Sequence, residues 1–350
     1  MIHVGLDMHK RYSRLEVMDD SGKVLDKNIL YHENKEEMRK YFSSIEKPAT
    51  VTMEATRSWY WLYELLEEEG LNVKLAHPLK TKLIGEAKIK TDSIDAHVLA
   101  QLERTGFLPE SYIPPKEVRE QRELLRYRIM LVSTRTRVKN RVHDIIDKLG
   151  VVHPFSDLFG KKGIDFLKSL SLPSTYKEEL NRCIEIIDFL NLKIKEVEKD
   201  IMKILKKDDE RAKLLMTIPG VGKITAFLLL SEIGDIDRFN SSKKLCSYAG
   251  IVAGTHQTGG KEYHTSITKQ GDKYIRWSLI ESTQIAIRKD PALYAFYEKL
   301  KRTKGSGVAI VAVARKLLVA VYHILKNGEP YKYNSLSKIH MSKPALDHGH

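Results

Sequence analysis

The order of hydrophobic patterns in the first hundred residues limits the fold more than any other feature of the chain. Residues 2–8, "IHVGLDM", read as a short apolar strand. "YSRLEVMD" reads as a second, and the turn "DSGK" leads to a third, "VLDKNILY". Three strands in succession with a tight turn mark a β-meander. "NKEEMRKYFSSIE" then reads as a helix capped by Asn34, whose side chain can accept from N–H groups that a first turn leaves unpaired. A fourth strand, "ATVTMEAT", a helix "SWYWLYELLEEEG" closed by Gly70, a fifth strand "LNVKLAH" and further helix follow.

Three strands, helix, strand, helix, strand, helix is the order of a ribonuclease H-like fold, a mixed sheet with helices packed on it. The proline-rich "LPESYIPPKEVRE" marks a boundary near residues 108–116. The expected organisation is a sheet domain over 1–112, a helical arm over 113–210, a mainly helical domain over 211–328 and a loose tail over 329–350. The fold class is therefore α/β plus α.

The arm opens with a helix rich in arginine, including Arg119, Arg122, Arg126 and Arg135, opposed between 119 and 141 only by Glu120 and Glu123. A solvated helix face and a phosphate-binding face both fit such a run. A second long helix carries Leu180, Cys183, Ile187, Leu190, Ile194, Val197, Ile201 and Ile204 in alternating steps of three and four. This heptad seam predicts coiled-coil packing, either back on the arginine helix or against another copy of the chain.

Lys and Arg number 59 against 46 Asp and Glu, a formal net charge of +13, which points to a polyanionic partner with nucleic acid first. Cys183 and Cys246 show neither a CxxC spacing nor a disulfide framework, and fit a reducing cytoplasm. The apolar stretch "GVAIVAVARKLLVAVYHIL" is interrupted by Arg315 and Lys316 and reads as a buried helix, not a membrane span.

Four carboxylates stand out in this basic chain. Asp7 lies in the first strand, Glu54 ends the fourth, and Asp92 and Asp95 share one face of the helix after the fifth. In a ribonuclease H-like sheet the first and fourth strands are neighbours, so the four acids can converge. Hard oxygen donors suit Mg²⁺ or Mn²⁺, and paired ions of this kind clamp a phosphate for in-line displacement. The bland reading of each acid alone is a surface residue or a helix cap.

"IPGVGKITA" is not a P-loop, because Thr217 and Ile224 stand where that motif needs Gly and Ser or Thr. Gly220, Gly222 and Lys223 instead suit the hairpin of a helix-hairpin-helix module, whose N–H groups approach DNA phosphates. A plain turn between two core helices suits them too. Further on, "TGGKEYHTSITKQGDKYIRW" is basic and rich in hydroxyls: Lys261, Lys269 and Arg276 can bind phosphate, and Thr258 or Ser266 can supply a nucleophile.

Together "GLDMHK", "MEAT", "KTDSIDAHVLA", "IPGVGKITA" and the Thr258 loop resemble the insertion-sequence 110 family of transposases, with the Piv-type DNA invertases as relatives. The resemblance runs from residue 2 to about 325. It implies a RuvC-like domain with a DEDD tetrad of Asp7, Glu54, Asp92 and Asp95, a C-terminal transposase domain, and homo-oligomers, dimers or tetramers, through the coiled coil. It also implies Mg²⁺-dependent, site-directed insertion and excision of the element's own double-stranded DNA, guided by an element-encoded bridge RNA. The family's nucleophilic serine falls here on Thr258, with Ser266 as the alternative. Two other functions fit the residues alone: a structure-selective nuclease of the Holliday-junction resolvase type, and a non-catalytic nucleic-acid-binding scaffold.

Overall fold

The computed structural model describes residues 1–333 except 57, 85–91, 205–208 and 259–260, and gives the backbone alone for 83, 92–94, 255–258 and 261–266. The chain divides into two compact units, Met1–Pro114 and Pro115–His350.

The first unit runs β1 (Ile2–Met8), β2 (Tyr12–Met18), β3 (Val24–Tyr31), α1 (Lys35–Ser43), β4 (Ala49–Glu54), α2 (Trp59–Glu68), β5 (Asn72–Ala76), α3 (Pro78–Ile84), α4 (Asp92–Arg104) and β6 (Glu110–Ser111). Its sheet has the order β3-β2-β1-β4-β5-β6. β1 pairs parallel with β4 and β4 with β5, whereas β2, β3 and β6 join antiparallel. The expected mixed sheet is present, with β1 beside β4. The sixth strand was not foreseen: two residues within a proline-rich stretch carry no alternation to read. Asn34 caps α1 as expected, its side chain accepting from the Glu37 N–H.

Period-2 alternation gives this sheet two different faces. Val4, Leu6, Leu15, Val17, Leu30, Val51 and Met53 form a core with Met38 and Phe42 of α1 and Leu62 and Leu66 of α2. The alternate positions on β1, β2, β4 and β5 include His3, Gly5, Asp7, Glu16, Thr52 and Lys74, and α4 packs on this polar face. Gly5 is what lets it do so. A Cβ there would stand 1.9 Å from the Ala96 carbonyl oxygen and 2.6 Å from the Ala100 nitrogen. The His3 ring bonds Glu103 near the end of α4, and Lys74 Nζ lies 3.4 Å from the same carboxylate.

The second unit begins with α5 (Lys116–Lys148), α6 (Lys161–Ser169) and α7 (Ser174–Ile204). The Arg128–Glu198, Arg135–Asn191 and Arg141–Glu179 contacts run in opposite sequence directions, so α5 and α7 form an antiparallel hairpin. The seam from Leu180 to Ile201 is buried, and it packs on Leu125, Leu131, Val142 and Ile146 of α5. Of the two expected partners it therefore uses the arginine helix of its own chain. Ile204, at the end of the helix, is exposed. Around the hairpin's far end, Leu158 and Leu167 join Val142, Ile146, Leu180 and Ile184 in a small separate core.

There follow α8 (Glu210–Leu215), α9 (Lys223–Ile233), α10 (Ser242–Tyr248), β7 (Ala253–Thr258), β8 (Lys261–Ile267), α11 (Lys273–Lys289), α12 (Pro291–Lys304) and α13 (Ser306–Asn327). α13 has the length and hydropathy of a membrane span. Its Val313, Ala314, Leu317, Leu318 and Val321 nevertheless lie in the same core as Leu229, Leu245 and Leu279. That core also takes in Leu125 and Leu131, so the arm and the C-terminal helices share one interior.

Candidate functional site

The parallel register of β1 and β4 runs through Leu6 opposite Met53. The next residues, Asp7 and Glu54, therefore fall side by side on neighbouring strands about 4.8 Å apart. Both alternate with polar-face residues, Asp7 with Gly5 and Glu54 with Thr52. Asp7 keeps 20% side-chain exposure, and its Oδ2 lies 3.0 Å from His9 Nε2. Arg14 on β2 is its cross-strand neighbour.

α4 runs antiparallel to β1. Glu103 meets His3, and Ala96 and Ala100 meet Gly5. Two residues further along β1 cover about 7 Å, and one turn back along α4 covers about 5.4 Å. That step takes the helix from Ala96 to its first turn and the strand from Gly5 to Asp7. The backbone thus brings the head of α4, which starts at Asp92 and includes Asp95, to the end of β1 that carries Asp7. Asp95 is half-buried, and the Asp92 side chain lies outside the described residues. Among the described residues no three His, Cys, Asp or Glu form a metal-holding group by themselves. Asp7 and Glu54 on the polar sheet face and Asp95 on α4 each carry carboxylate oxygens, the donor chemistry a hard divalent cation takes.

His9 escaped the sequence reading, although its position two residues after Asp7 was the available signal. Its ring lies against Tyr12, centroids 4.7 Å apart. Glu16, opposite Gly5 on β2, is buried and sits 2.5 Å from His97 Nδ1 and 3.0 Å from Lys27 Nζ. Burial pushes its carboxyl up, but the His97 and Lys27 contacts outweigh that and hold it below the usual range.

In the second unit, β7 and β8 form an antiparallel hairpin. Thr258 pairs with Lys261 at its tip, while Ser266 lies where the register shifts between Ala253 and Thr255. The side chains of Thr258, Lys261 and Ser266 are outside the described residues. Below the hairpin the base is tightly built. Asp272 N–H donates to the Tyr248 carbonyl, Lys269 N–H to that of Gly250, and Arg276 Nη1 to that of Ala249. Lys269 itself has φ 54, the left-handed region, and a Cβ on Gly271 would meet the Tyr248 carbonyl at 2.1 Å. Arg276 thus holds the loop base through Nη1.

The arginine helix turns several of its guanidiniums inward. Arg119 and Arg122 are buried, at 5% and 6% exposure. Arg122 donates to the carbonyls of Ser231 and Glu232, and Arg126 grips the Glu232 carboxylate through Nε and Nη2 at 2.7 and 2.8 Å. Arg135 donates to Asn191. Arg122 and Arg126 thus fasten α5 to α9 and Arg135 joins it to α7, while Arg119 is buried. Glu232 is wholly buried, and that burial pushes its carboxyl up, to about 7, against the pull of Arg126.

The glycines of "IPGVGKITA" separate into two kinds. Gly220 has φ +89, and a Cβ there would strike the Ser282 carbonyl at 2.4 Å, so helix packing explains it. Gly222 caps α9 in an extended conformation with nothing near its missing side chain. Lys223 opens that helix.

A mixed sheet with carboxylates ending its neighbouring parallel strands, joined to a helical C-terminal part, is the build of a DEDD-type DNA recombinase. Residues 4–150 match the family model of DEDD transposases of IS110, and residues 212–298 match the transposase IS116/IS110/IS902 family. The chain is 27% identical to the transposase for insertion sequence element IS1328 of Yersinia enterocolitica, covering 82% of this chain and 84% of that one. It is 26% identical to a probable family 20 transposase of Pseudomonas aeruginosa, over 94% and 98%. The pilin gene-inverting protein of Moraxella bovis matches at 36%, over 35% of this chain and 39% of its own. The chain belongs to the IS110 family of transposases.

Proposed function

We propose that this transposase inserts and excises its own mobile element by metal-dependent attack on DNA phosphodiesters, directed by an RNA that the element encodes. The observation that carries the reading is the meeting of Asp7, Glu54 and the head of α4 at one end of the β1–β4 pair. Mg²⁺ or Mn²⁺ held by Asp7, Glu54, Asp92 and Asp95 would favour the ionised form of the attacking hydroxyl and neutralise charge on the phosphate. His9 orients the Asp7 carboxylate. In this reading residues 1–112 are the catalytic domain, 113–210 the arm, 211–328 the DNA-handling domain and 329–350 a tail.

Thr258, or Ser266 in its place, supplies the hydroxyl. Its oxygen bonds to a DNA phosphorus while one bridging P–O bond breaks. The departing deoxyribose oxygen takes up a proton, and the cut end stays on the chain as a phosphoester. Attack by another deoxyribose hydroxyl reverses the step and joins new strands. Gly222 and Lys223, at an α9 N-terminus without a side-chain cap, contact DNA backbone. Assembly into a dimer or tetramer uses the outer face of the α5–α7 hairpin, where Ile186, Phe189 and Leu192 are exposed, because the seam itself is covered.

The test combines purified protein, Mg²⁺, RNA from the element's end and a labelled junction of donor and target DNA. A covalent protein–DNA species on a denaturing gel, absent in Asp92→Ala and Thr258→Ala, is expected. Survival of the adduct in Thr258→Ala transfers the nucleophile to Ser266. Metal-dependent cleavage that never yields an adduct would instead favour a resolvase-like nuclease.

A further inference from the structure

The polar face of the sheet extends beyond the part on which α4 packs. From Asp7 the cross-strand neighbours are Arg14 on β2 and then Ile29 on β3, and the next row outward pairs Tyr12 with Tyr31. Tyr31 is 57% exposed and Ile29 38%. The Tyr12 and Tyr31 rings stand 6.3 Å apart at 57°, and Arg14 Cζ lies 6.0 Å from the Tyr12 centroid.

Two clefts open on these rows. One of about 420 Å³ is lined by Arg14, Glu16, Lys27, Ile29 and Ala96. The other, of about 780 Å³, is lined by His9, Lys10, Arg11, Tyr12 and Tyr31, with Glu33 at its rim. Lys10 and Arg11 are exposed in the turn between β1 and β2. Glu16, the acid of the first cleft, is paired with Lys27 and hydrogen-bonded by His97.

An aromatic pair on a sheet face, Tyr31 exposed and Tyr12 half-buried, with Lys10, Arg11 and Arg14 beside it, has the chemistry of a surface on which unpaired bases stack while cations follow the phosphates. A duplex has no free base face to offer such rings. The distance also suits a strand that passes the carboxylates. Tyr31 is two strands and two residues from Asp7, about 12 Å, or three to four stacked nucleotides at about 3.4 Å each.

We infer that the β2–β3 face, through Tyr31, Tyr12 and Ile29, is a stacking platform for unpaired nucleotides next to the phosphate under attack. The inference rests on the proposed catalytic reading only for which strand is bound. The platform itself is a property of the sheet.

The test measures binding of the full chain to fluorescein-labelled single-stranded oligo-dT and oligo-rU, and to a blunt duplex, by anisotropy in EDTA. Without metal the measurement is independent of catalysis. Stacking is worth about 1–3 kcal/mol per base, so Tyr31→Ala should weaken single-strand binding about tenfold. Tyr31→Trp should restore it, and duplex binding and the salt slope should not change. Lys10→Ala with Arg11→Ala should instead flatten the salt slope. Loss on oligo-dT alone assigns the platform to DNA, and loss on oligo-rU alone to the RNA.

Equal affinity of Tyr31→Ala and wild type for both single strands overturns the inference. So does an equal loss on duplex, or a Tyr31→Ala change confined to sedimentation, which would make the face a contact between protein copies. Tyr31 is exposed, so a thermal melt matching wild type is the folding control. Failure here leaves the adduct experiment with Asp92→Ala untouched, and failure there leaves this binding result standing.

Discussion

Gly5→Ala puts the crossing of α4 over β1 to a direct test. Gly5 sits in a strand, where alanine costs nothing in backbone conformation and glycine is a poor choice. The substitution is therefore purely steric. Its Cβ would meet the Ala96 carbonyl oxygen at 1.9 Å, and ordinary contacts begin near ~3.5 Å, so α4 must retreat by about 1.5 Å. Overpacking of this kind costs about 1–3 kcal/mol. A displacement of about 1 Å in a catalytic group costs about 100-fold in rate, and in the proposed reading the helix displaced is the one that carries Asp92 and Asp95 toward Asp7. Strand transfer on the donor–target junction should fall at least 100-fold, with a melting temperature several degrees lower. A second change, Ala96→Gly, should not rescue either quantity, because the obstacle is main chain. Wild-type transfer and melting in Gly5→Ala, or rescue by Ala96→Gly, would refute the packing and with it the placing of the α4 head.

Arg122→Ala should destabilise the chain by about 1–3 kcal/mol in urea unfolding, since it leaves the Ser231 and Glu232 carbonyls buried without their donor while Arg126 still holds the Glu232 carboxylate; a lowered salt slope of DNA binding at unchanged stability would contradict that. Gly220→Ala should lower stability, whereas Gly222→Ala should cost at most about 1 kcal/mol as a change of N-cap and weaken duplex DNA binding, read by melting and anisotropy side by side. Asp7→Asn should abolish the rise in melting temperature that Mg²⁺ or Mn²⁺ gives the wild type. Glu16, held below its usual range, contributes stability above about pH 4.5 that is lost as pH falls through its folded value. The stability gap between wild type and Glu16→Gln should therefore shrink between pH 7 and pH 3.5.

Much of the sheet unit could be read from the chain because its strands alternate and its turns carry Gly, Asn and Asp. The seam was legible for a similar reason, since its repeat is long enough to fix a face. What covers that face was not legible, because the partner residues Leu131 and Val142 lie some fifty residues earlier in a helix dominated by charge. The partners of the arginines were not legible on the same ground: density of charge says nothing about where a guanidinium ends. The clue was on the other side, Glu232 set in the apolar run "AFLLLSEI", an acid that must find a buried cation. Asp7 and Glu54 could be placed because strand order sets which ends are adjacent. Their geometry with α4 could not, because it depends on a missing Cβ at Gly5.

The α5–α7 hairpin has a mechanical consequence. Arg122 and Arg126 fix α5 at one end, and from Arg126 to Lys148 the helix extends about 33 Å. The Arg128–Glu198 and Arg141–Glu179 pairs tie it to α7 along that length. Such a beam behaves as a lever: a 5° rotation at its root would sweep its far end, with the small core around Leu158 and Leu167, through about 3 Å. A repacking of one or two side chains at the Glu232 anchor would thus be magnified into the length of a hydrogen bond wherever the far end of the beam makes contact.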